Sequence, residues 1–434
     1  MQRDIKEKPV YAVIAAVQLP TVSDFEFESS LAELRELAKT LGLEVVHTFV
    51  QKRPGFDTTA YLGVGKRQEV RDYVNGDDGQ EIEVILVDHE LSPSQARNLE
   101  VEVGCEVMDR TMVILEIFHR NARSRAARAQ VEIARLGYMA PRLREMAKLA
   151  GSQGRQRGGG GGRGAGESLT ELDRRKIRDR IAELQQDIDA MEAERATQRS
   201  RRQGRQGLAG VALVGYTNAG KSTLMRALTG SEVLVANKLF ATLDTTVRVL
   251  HPASVPRVLV SDTVGFIKNL PHGLVASFKS TLDEALDAEL LLHVIDASDP
   301  GFERQRQVTD TVLEEIGASE VPRLRIFNKI DHCGDAEAQA AHTAALQEAY
   351  PGCIVMSARR PDDVARLHHA IVAFFQRNLV EGELFLPWSA QQWRQEIYAN
   401  CEVLEEQADE EGALFRVRGE AATLDKLREA FSQA

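Results

Sequence analysis

The sequence of 434 residues lacks any run of eighteen or more apolar residues, so we expect no membrane-spanning helix. No small-residue cleavage site follows the apolar run at residues 10–17, which predicts a buried first strand rather than a signal peptide. Cysteine is also scarce: four cysteines lie far apart and form no CxxC pair. A disulfide framework and a zinc site are therefore not expected. A cytoplasmic location is predicted, with partial membrane association left open.

The chain contains fewer basic than acidic residues, with 54 Lys and Arg against 65 Asp and Glu, so its formal net charge is −11. That balance argues against a general nucleic-acid-binding protein. The charge is unevenly distributed, however, since residues 110–206 contain 22 Lys or Arg against 12 Asp or Glu. An acidic body with one basic segment predicts a polyanionic partner that is contacted locally. The alternative is that the basic segment is an ordinary solvated surface.

The order of strand-like and helix-like segments predicts an α/β multidomain protein. Alternation over residues 1–109 predicts an N-terminal parallel α/β domain. Residues 110–206 predict a basic helical hairpin, with a break near Pro141, a glycine-rich loop at residues 151–166 and a heptad seam from Ile177 to Met191. Residues 207–380 alternate again and predict a doubly wound α/β domain. Residues 381–434 predict a small α+β C-terminal domain, with Glu381–Gly382 as a short linker.

A phosphate-binding loop is indicated where the apolar residues 211–214 lead into G-x-x-x-x-G-K-S and then into a helix-like segment. Glycines at both ends of the loop allow its backbone N–H groups to face phosphate oxygens, and the helix start adds a favourable dipole. The lysine is a point charge for the β- and γ-phosphates, and the serine hydroxyl is a ligand for Mg²⁺. The predicted residues are Gly215, Tyr216, Thr217, Asn218, Ala219, Gly220, Lys221 and Ser222.

Two further segments are typical of nucleotide-dependent switches. In D-x-x-G, the aspartate reaches magnesium through water and the glycine N–H meets the γ-phosphate; its residues are Asp262, Thr263, Val264 and Gly265. The preceding loop contains Phe240, Ala241, Thr242, Leu243 and Asp244. A threonine in such a loop closes on Mg²⁺ when the γ-phosphate is present. Spacing alone does not separate Thr242 from Thr245 and Thr246.

Two segments after later strands predict a guanine pocket. The first consists of Asn328, Lys329, Ile330 and Asp331, and the second of Ser357, Ala358 and Arg359. The Asp331 carboxylate can accept from N1–H and the exocyclic amine of guanine, a donor pair that adenine does not offer. The side chains of Asn328 and Lys329 brace the base and the phosphate loop, and the Ala358 N–H meets the guanine oxygen. These residues predict binding of GTP and GDP rather than ATP.

Taken together, these segments resemble the HflX family of translational GTPases, and the likeness covers nearly the whole chain. It rests on residues 61–66, 91–100, 109–111, 129–132 with 141–143, and 262–267 with 270–272. The resemblance implies that Thr242 is the magnesium-sensing threonine. It also implies binding to the large ribosomal subunit and splitting of stalled ribosomes into subunits, driven by GTP binding, with hydrolysis releasing the factor. Departures from the family's pattern at residues 118–125 and 164–168 concern RNA contact rather than the fold.

A P-loop kinase is disfavoured because it needs no guanine reader such as residues 328–331. A GTP-dependent regulator that docks on another protein through its hairpin stays open. A monomer is expected.

Hydrolysis is expected to be slow in isolation and stimulated by the ribosome. The position after D-x-x-G, where Ras-type GTPases carry a glutamine, is Phe266. Asn218 resembles the asparagine of GTPases that hold K⁺ beside the phosphates, and the alternative is that it only stabilises the loop.

Overall fold

The computed structural model describes residues 9–76, 81–154, 173–191, 193, 208–230, 239–243, 245–270, 284–377 and 379–432. These residues fall into two compact units. The first takes its residues from 1–191, 238–243 and 269–278, and the second from 192–237, 244–268 and 279–434. No described helix is long and apolar enough to cross a lipid bilayer.

The first unit begins with a parallel α/β sheet, as the alternating pattern predicts. Its elements are β1 (Val10–Gln18), α1 (Asp24–Thr40), β2 (Leu43–Lys52), α2 (Val64–Val74), β3 (Ile82–Val87), α3 (Pro93–Val103) and β4 (Glu106–Asp109). The strand order is β2-β1-β3-β4, and every neighbouring pair is parallel. Strand β1 is buried over most of its length, which explains its apolar composition.

Two helices follow, α4 (Arg110–Asn121) and α5 (Arg125–Gly154). The predicted break at Pro141 is wrong, because Pro141 lies inside α5. The chain breaks instead at Ala122, whose backbone is extended, and Ser124 accepts from the Ala127 N–H at the start of α5. The predicted loop at residues 151–166 does not begin at residue 151, because residues 151–154 are still helical. Its remainder, with Arg155, Arg157 and Arg163, lies outside the described residues.

A helix over residues 173–191, which we call α6, packs against α5 through the predicted seam. Leu184 and Ile188 are buried against Ala129, with Met191 beside them. Two ion pairs give the direction: Arg125 contacts Asp187, whereas Glu132, further along α5, contacts Arg180, earlier in α6. The helices are therefore antiparallel, as the hairpin prediction requires.

The second unit contains a six-stranded sheet in the order β10-β9-β8-β5-β7-β6, parallel except at the β6 edge. Its elements are β5 (Ala209–Gly215), α7 (Lys221–Thr229), β6 (Thr246–Val249), β7 (Val258–Asp262), β8 (Leu290–Asp296), α8 (Phe302–Glu315), β9 (Arg323–Asn328), α9 (Ala336–Ala349), β10 (Ile354–Val355) and α10 (Pro361–Gln376). Apolar clusters lie on both faces of this sheet. The carboxyl ends of its parallel strands lie at one edge, where a doubly wound fold places its ligand.

A three-stranded antiparallel sheet ends the chain, in the order β11-β13-β12. Its elements are β11 (Val380–Pro387), α11 (Arg394–Asn400), β12 (Glu402–Ala408), β13 (Gly412–Gly419) and α12 (Ala421–Ser432). The predicted linker at Glu381–Gly382 is wrong, because these residues pair with Arg418 and Val417 inside the sheet. The bounds of the four domains stay predictions.

Candidate nucleotide-binding site

The phosphate loop joins β5 to α7, and its two outer glycines are required by space and by backbone conformation. Gly215 has φ 146°, and a Cβ there would lie 2.2 Å from the carbonyl oxygen of Val294. Gly220 has φ 98°, and a Cβ there would lie 2.3 Å from the Asn328 side-chain nitrogen. Both positions therefore exclude larger residues. The loop is thus closely packed between β8 and the Asn328 side chain.

Lys221 opens α7 and is buried. Its Nζ donates to the carbonyl oxygens of Gly215 and Tyr216, at 3.0 and 2.8 Å. Burial lowers the pKa of Lys221 to about 8, since desolvation penalises the charged form. Phosphate oxygens would satisfy the same ammonium group more fully than two carbonyl groups do.

Two residues predicted to act on magnesium, Ser222 as a ligand and Asp262 through water, meet between α7 and β7. The Ser222 hydroxyl donates to Asp262 Oδ2 at 2.7 Å, and Asp262 is fully buried. A hydroxyl and a carboxylate are the hard oxygen donors that Mg²⁺ prefers, so the pair fits this ion. The described residues contain no group of three or more His, Cys, Asp or Glu that could hold a metal.

The D-x-x-G segment and the residue after it are hydrogen-bonded to the phosphate loop through the backbone. Tyr216 and Phe266 form a parallel bridge, in which Thr217 N–H donates to the Phe266 carbonyl at 2.7 Å. Phe266 N–H donates to the Gly215 carbonyl at 3.1 Å. A Cβ at Gly265 would lie 2.7 Å from Thr217 Cα, so the approach of the two backbones excludes a side chain. The two segments are therefore held in direct backbone contact.

Three side chains of these segments have distinct environments. Phe266 is 1% exposed and packs in the apolar cluster on one face of the sheet. The Tyr216 phenol is used within the fold, because it accepts from the Lys268 N–H at 2.8 Å. Asn218 is exposed and has φ 60°, a left-handed conformation that asparagine tolerates.

Asn328 connects the base-reading segments to the phosphate loop. Its Nδ2 donates to the Ala219 carbonyl at 3.0 Å, and its Oδ1 accepts from the Ala358 N–H at 2.9 Å. The side chain is buried. In this structure the Ala358 N–H is thus bonded to Asn328, whereas we expected it to face the guanine oxygen. That contact with guanine stays a prediction.

Asp331, which the sequence predicts to read guanine, lies in the 3₁₀ turn Ile330–His332 after β9. Burial by itself raises the pKa of its carboxyl, but hydrogen bonds from the Ser357 side chain and its own N–H lower that pKa overall. The nearby charges of His332 and Arg359 act in the same direction. The ionised, accepting form is therefore favoured, as guanine recognition requires. Ile330 and Ser357 are buried, whereas the Arg359 side chain is 73% exposed.

The loop that carries Thr242 belongs to the first unit, whereas Ser222 and Asp262 belong to the second. Phe240, 2% exposed, packs edge-on against Phe118 of α4 with 4.6 Å between ring centroids. Asn121 Nδ2 donates to the Phe240 carbonyl at 2.9 Å. Ala241 and Thr242 are partly exposed, Leu243 is buried, and Asp244 lies outside the described residues. The magnesium-sensing role of Thr242 stays a prediction.

One residue at this edge of the sheet was not predicted. Asp296 ends β8, and its Oδ2 accepts from Lys329 Nζ at 2.7 Å. A signal was present in the sequence, since an aspartate at the end of an apolar strand is the same pattern that singled out Asp262. It was overlooked because residues 296–300 match no phosphate- or base-binding motif.

Three family profiles match the chain. They are described as "GTP-binding GTPase N-terminal" over residues 28–119, "GTP-binding GTPase Middle Region" over 121–202 and "50S ribosome-binding GTPase" over 210–329. A crystal structure of a GTP-binding protein from Sulfolobus solfataricus in complex with GDP is 24% identical, with a TM-score of 0.44, and the match covers 83% of this chain and 99% of that one.

Two curated relatives are both named GTPase HflX. The one from Gluconacetobacter diazotrophicus is 49% identical over 97% of this chain and 98% of its own length. The one from Escherichia coli is 38% identical over 93% of this chain and 92% of its own length. Both matches extend over nearly the whole length of this chain and of the relative. The chain is a GTP-binding and GTP-hydrolysing enzyme that belongs to the HflX family of GTPases.

Proposed function

We propose that this GTPase binds the large ribosomal subunit in its GTP-bound form and dissociates stalled ribosomes into subunits. The observation that carries the proposal is the hairpin. On α6, five exposed cations fall within seven residues: Arg174, Arg175, Lys176, Arg178 and Arg180. The side chains of Arg175 and Lys176 are 75% and 78% exposed, and their ion pairs with Asp179 and Asp173 are surface pairs that contribute little. Such a density of cations in an otherwise acidic chain suits the phosphates of ribosomal RNA.

The nucleotide site supplies the switch in this proposal. Lys221 and the backbone N–H groups of the loop hold the phosphates, and Asp331 reads guanine. Ser222 and Thr242 hold Mg²⁺, and Asp262 reaches it through water. When bound, the ion offsets the negative charge that accumulates on the phosphates. Gly265 senses the γ-phosphate through its N–H.

A monovalent cation is a further part of the proposal. The Asn218 side-chain carbonyl would hold K⁺ beside the phosphates, and its exposed, left-handed position suits this role. We infer slow hydrolysis in the absence of the ribosome, because the buried Phe266 ring has no atom that could orient water. The ribosome then supplies the missing contact.

A second candidate function is regulation of another protein through the hairpin, and salt dependence separates the two. RNA phosphate contacts release counterions, so each lost contact reduces the slope of log affinity against log salt by about 0.7 to 0.9. The test is co-sedimentation of the full chain with isolated large subunits in a non-hydrolysable GTP analogue, over a range of KCl concentrations.

The test variant replaces Arg155, Arg157 and Arg163 by Ala. Its matched control replaces Arg71, Arg377 and Arg428, which are exposed arginines outside the hairpin and give the same change of net charge. We expect weaker binding and a shallower slope in the test variant alone, with GDP affinity unchanged in both. An equal slope in wild type and test variant would contradict RNA contact by this loop and favour a protein partner.

A further inference from the structure

Asp296 is held in one orientation by the end of β8. Its Oδ1 accepts from the Ser298 N–H at 3.0 Å and from the Ser298 hydroxyl at 2.6 Å, which leaves Oδ2 directed at Lys329. Strand pairing fixes the backbone as well, because Asp296 pairs with Asn328 and the Ala297 N–H donates to the Asn328 carbonyl. The carboxylate is thus a rigid acceptor that adjoins the guanine-reading segment.

Lys329 is the residue that this acceptor holds. Its backbone is left-handed, with φ 63°, which is uncommon for a lysine, and its Nζ lies 2.7 Å from Asp296 Oδ2. Both side chains are mostly buried, with 22% of Lys329 and 15% of Asp296 exposed. A pair as buried as this is screened less by solvent than a surface pair. The contact therefore restricts a side chain that otherwise has much rotational freedom.

The lysine stem lies beside the phosphate loop. A Cβ built on Gly220 would come within 4.0 Å of Lys329 Cε, and the Lys329 charge contributes to the lowered pKa of Lys221. Two ammonium groups thus lie near each other at one nucleotide site. Asp296 offsets the charge of Lys329 and fixes the end of its side chain, while the stem of that side chain lies beside Gly220.

We propose that Asp296 is a positioning residue for nucleotide binding, which preorganises Lys329 against the guanine ring. The proposal rests on the proposed reading of guanine by residues 328–331, within which the sequence predicts that Lys329 braces the base. Preorganisation acts on binding of the base and not on the phosphates, so it predicts a change in Kd and KM without a change in kcat.

The experiment is a double-mutant cycle on the full chain, with Kd for GDP measured by calorimetry. Asp296→Ala is expected to raise Kd about tenfold, and Asp296→Asn, which keeps an acceptor oxygen, about threefold. Lys329→Ala is expected to raise Kd by at least as much as Asp296→Ala. The double variant should bind as Lys329→Ala alone does, because the aspartate acts only through the lysine.

Asp299→Asn is the matched control. Asp299 lies in the same connection between β8 and α8 but bonds Gly301 and Gln305 rather than Lys329. Its Kd should stay within about twofold of wild type. At saturating GTP, the Asp296→Ala protein should hydrolyse GTP with the kcat of the wild type.

Three results would overturn the proposal. The first is an unchanged Kd in a folded Asp296→Ala protein. The second is a double variant whose increase in Kd equals the product of the increases in the two single variants. The third is a loss of kcat in Asp296→Ala without a rise in KM. If Lys329→Ala itself leaves Kd unchanged, the assignment of Lys329 to guanine fails instead.

Discussion

The phenol oxygen of Tyr216, in the phosphate loop, accepts a hydrogen bond of 2.8 Å from the backbone N–H of Lys268, three residues after Gly265. The phosphate loop and the D-x-x-G segment are therefore joined by a side chain as well as by the bridge between Tyr216 and Phe266. Contact of Tyr216 with the nucleotide stays a prediction.

Tyr216→Phe removes this bond and keeps the ring. A lost hydrogen bond of this kind costs about 1 kcal/mol, so hydrogen exchange at the Lys268 amide should become about fivefold faster. Mass spectrometry on peptides that contain residue 268 measures it, and Kd for GDP should change less than about twofold. Unchanged exchange at residue 268 would show that the bond does not restrain the segment.

Asp331→Asn should shift the preference of the site from guanine to xanthine nucleotides. An amide can donate where the carboxylate only accepts, and xanthine carries a carbonyl oxygen in place of the guanine amine. Kd for GDP should rise, and the ratio of XDP to GDP affinity should increase at least about tenfold. Asp362→Asn, the same change at an exposed carboxylate in the first turn of α10, is the control and should leave the ratio unchanged. A wild-type protein that binds ATP as tightly as GTP would contradict the account of residues 328–331.

Phe266→Gln should not create a fast GTPase. The side chain is 1% exposed in an apolar cluster, so a glutamine there buries an amide and is expected to destabilise the second unit by about 3 kcal/mol. Urea denaturation and single-turnover hydrolysis are the two measurements. A stable variant with a hydrolysis rate raised tenfold or more would show that position 266 can reach the attacking water.

Potassium gives a separate test of hydrolysis. If Asn218 holds K⁺, single-turnover hydrolysis should be faster in KCl than in NaCl, and Asn218→Ala should abolish the difference. Equal hydrolysis rates of the wild type in both salts would show that K⁺ does not activate hydrolysis, and the ribosome would then be the activator. Fast hydrolysis in both salts without ribosomes would contradict the inference from Phe266.

Asp109 is expected to hold the hairpin helix α5 on the first sheet. This fully buried carboxylate accepts from the N–H groups of Leu91 and Met112, from Arg142 at 2.7 Å and from the Tyr138 hydroxyl. Asp109→Ala leaves the Arg142 charge without this partner, so local opening should be about a hundredfold more frequent. Hydrogen exchange of residues 125–145 measures it, with Glu106→Ala in the same strand as a control that should change nothing.

The parts of the fold that follow local rules were predictable from the sequence. The strands Ile82–Val87 and Ala209–Gly215 read as short apolar runs, and the glycines of the phosphate loop stand where close backbone approach requires them. The segments 215–222, 262–265 and 328–331 lie at the carboxyl edge of one sheet because each follows a parallel strand of it.

The errors concern residues whose partners are distant in the chain. Pro141 continues a helix because Tyr138 and Arg142, on either side of it, are bonded to Asp109, and no local pattern reveals that contact. Glu381 and Gly382 look like a linker but pair with β13, which is more than thirty residues away. Asp296 matches no motif, and its contact with Lys329, just after the next strand of the sheet, is visible only in the structure.

We propose that the GTP-bound protein contacts the ribosome through its basic hairpin and separates the ribosomal subunits. The most direct test of this proposal is sucrose-gradient analysis of 70S ribosomes incubated with the full chain and a non-hydrolysable GTP analogue. We expect 70S particles to give way to separate 30S and 50S peaks, with the protein on the 50S peak. GDP, or the Arg155, Arg157 and Arg163 to Ala variant, should leave the 70S peak largely intact. Intact 70S ribosomes at saturating protein and GTP analogue would contradict the account.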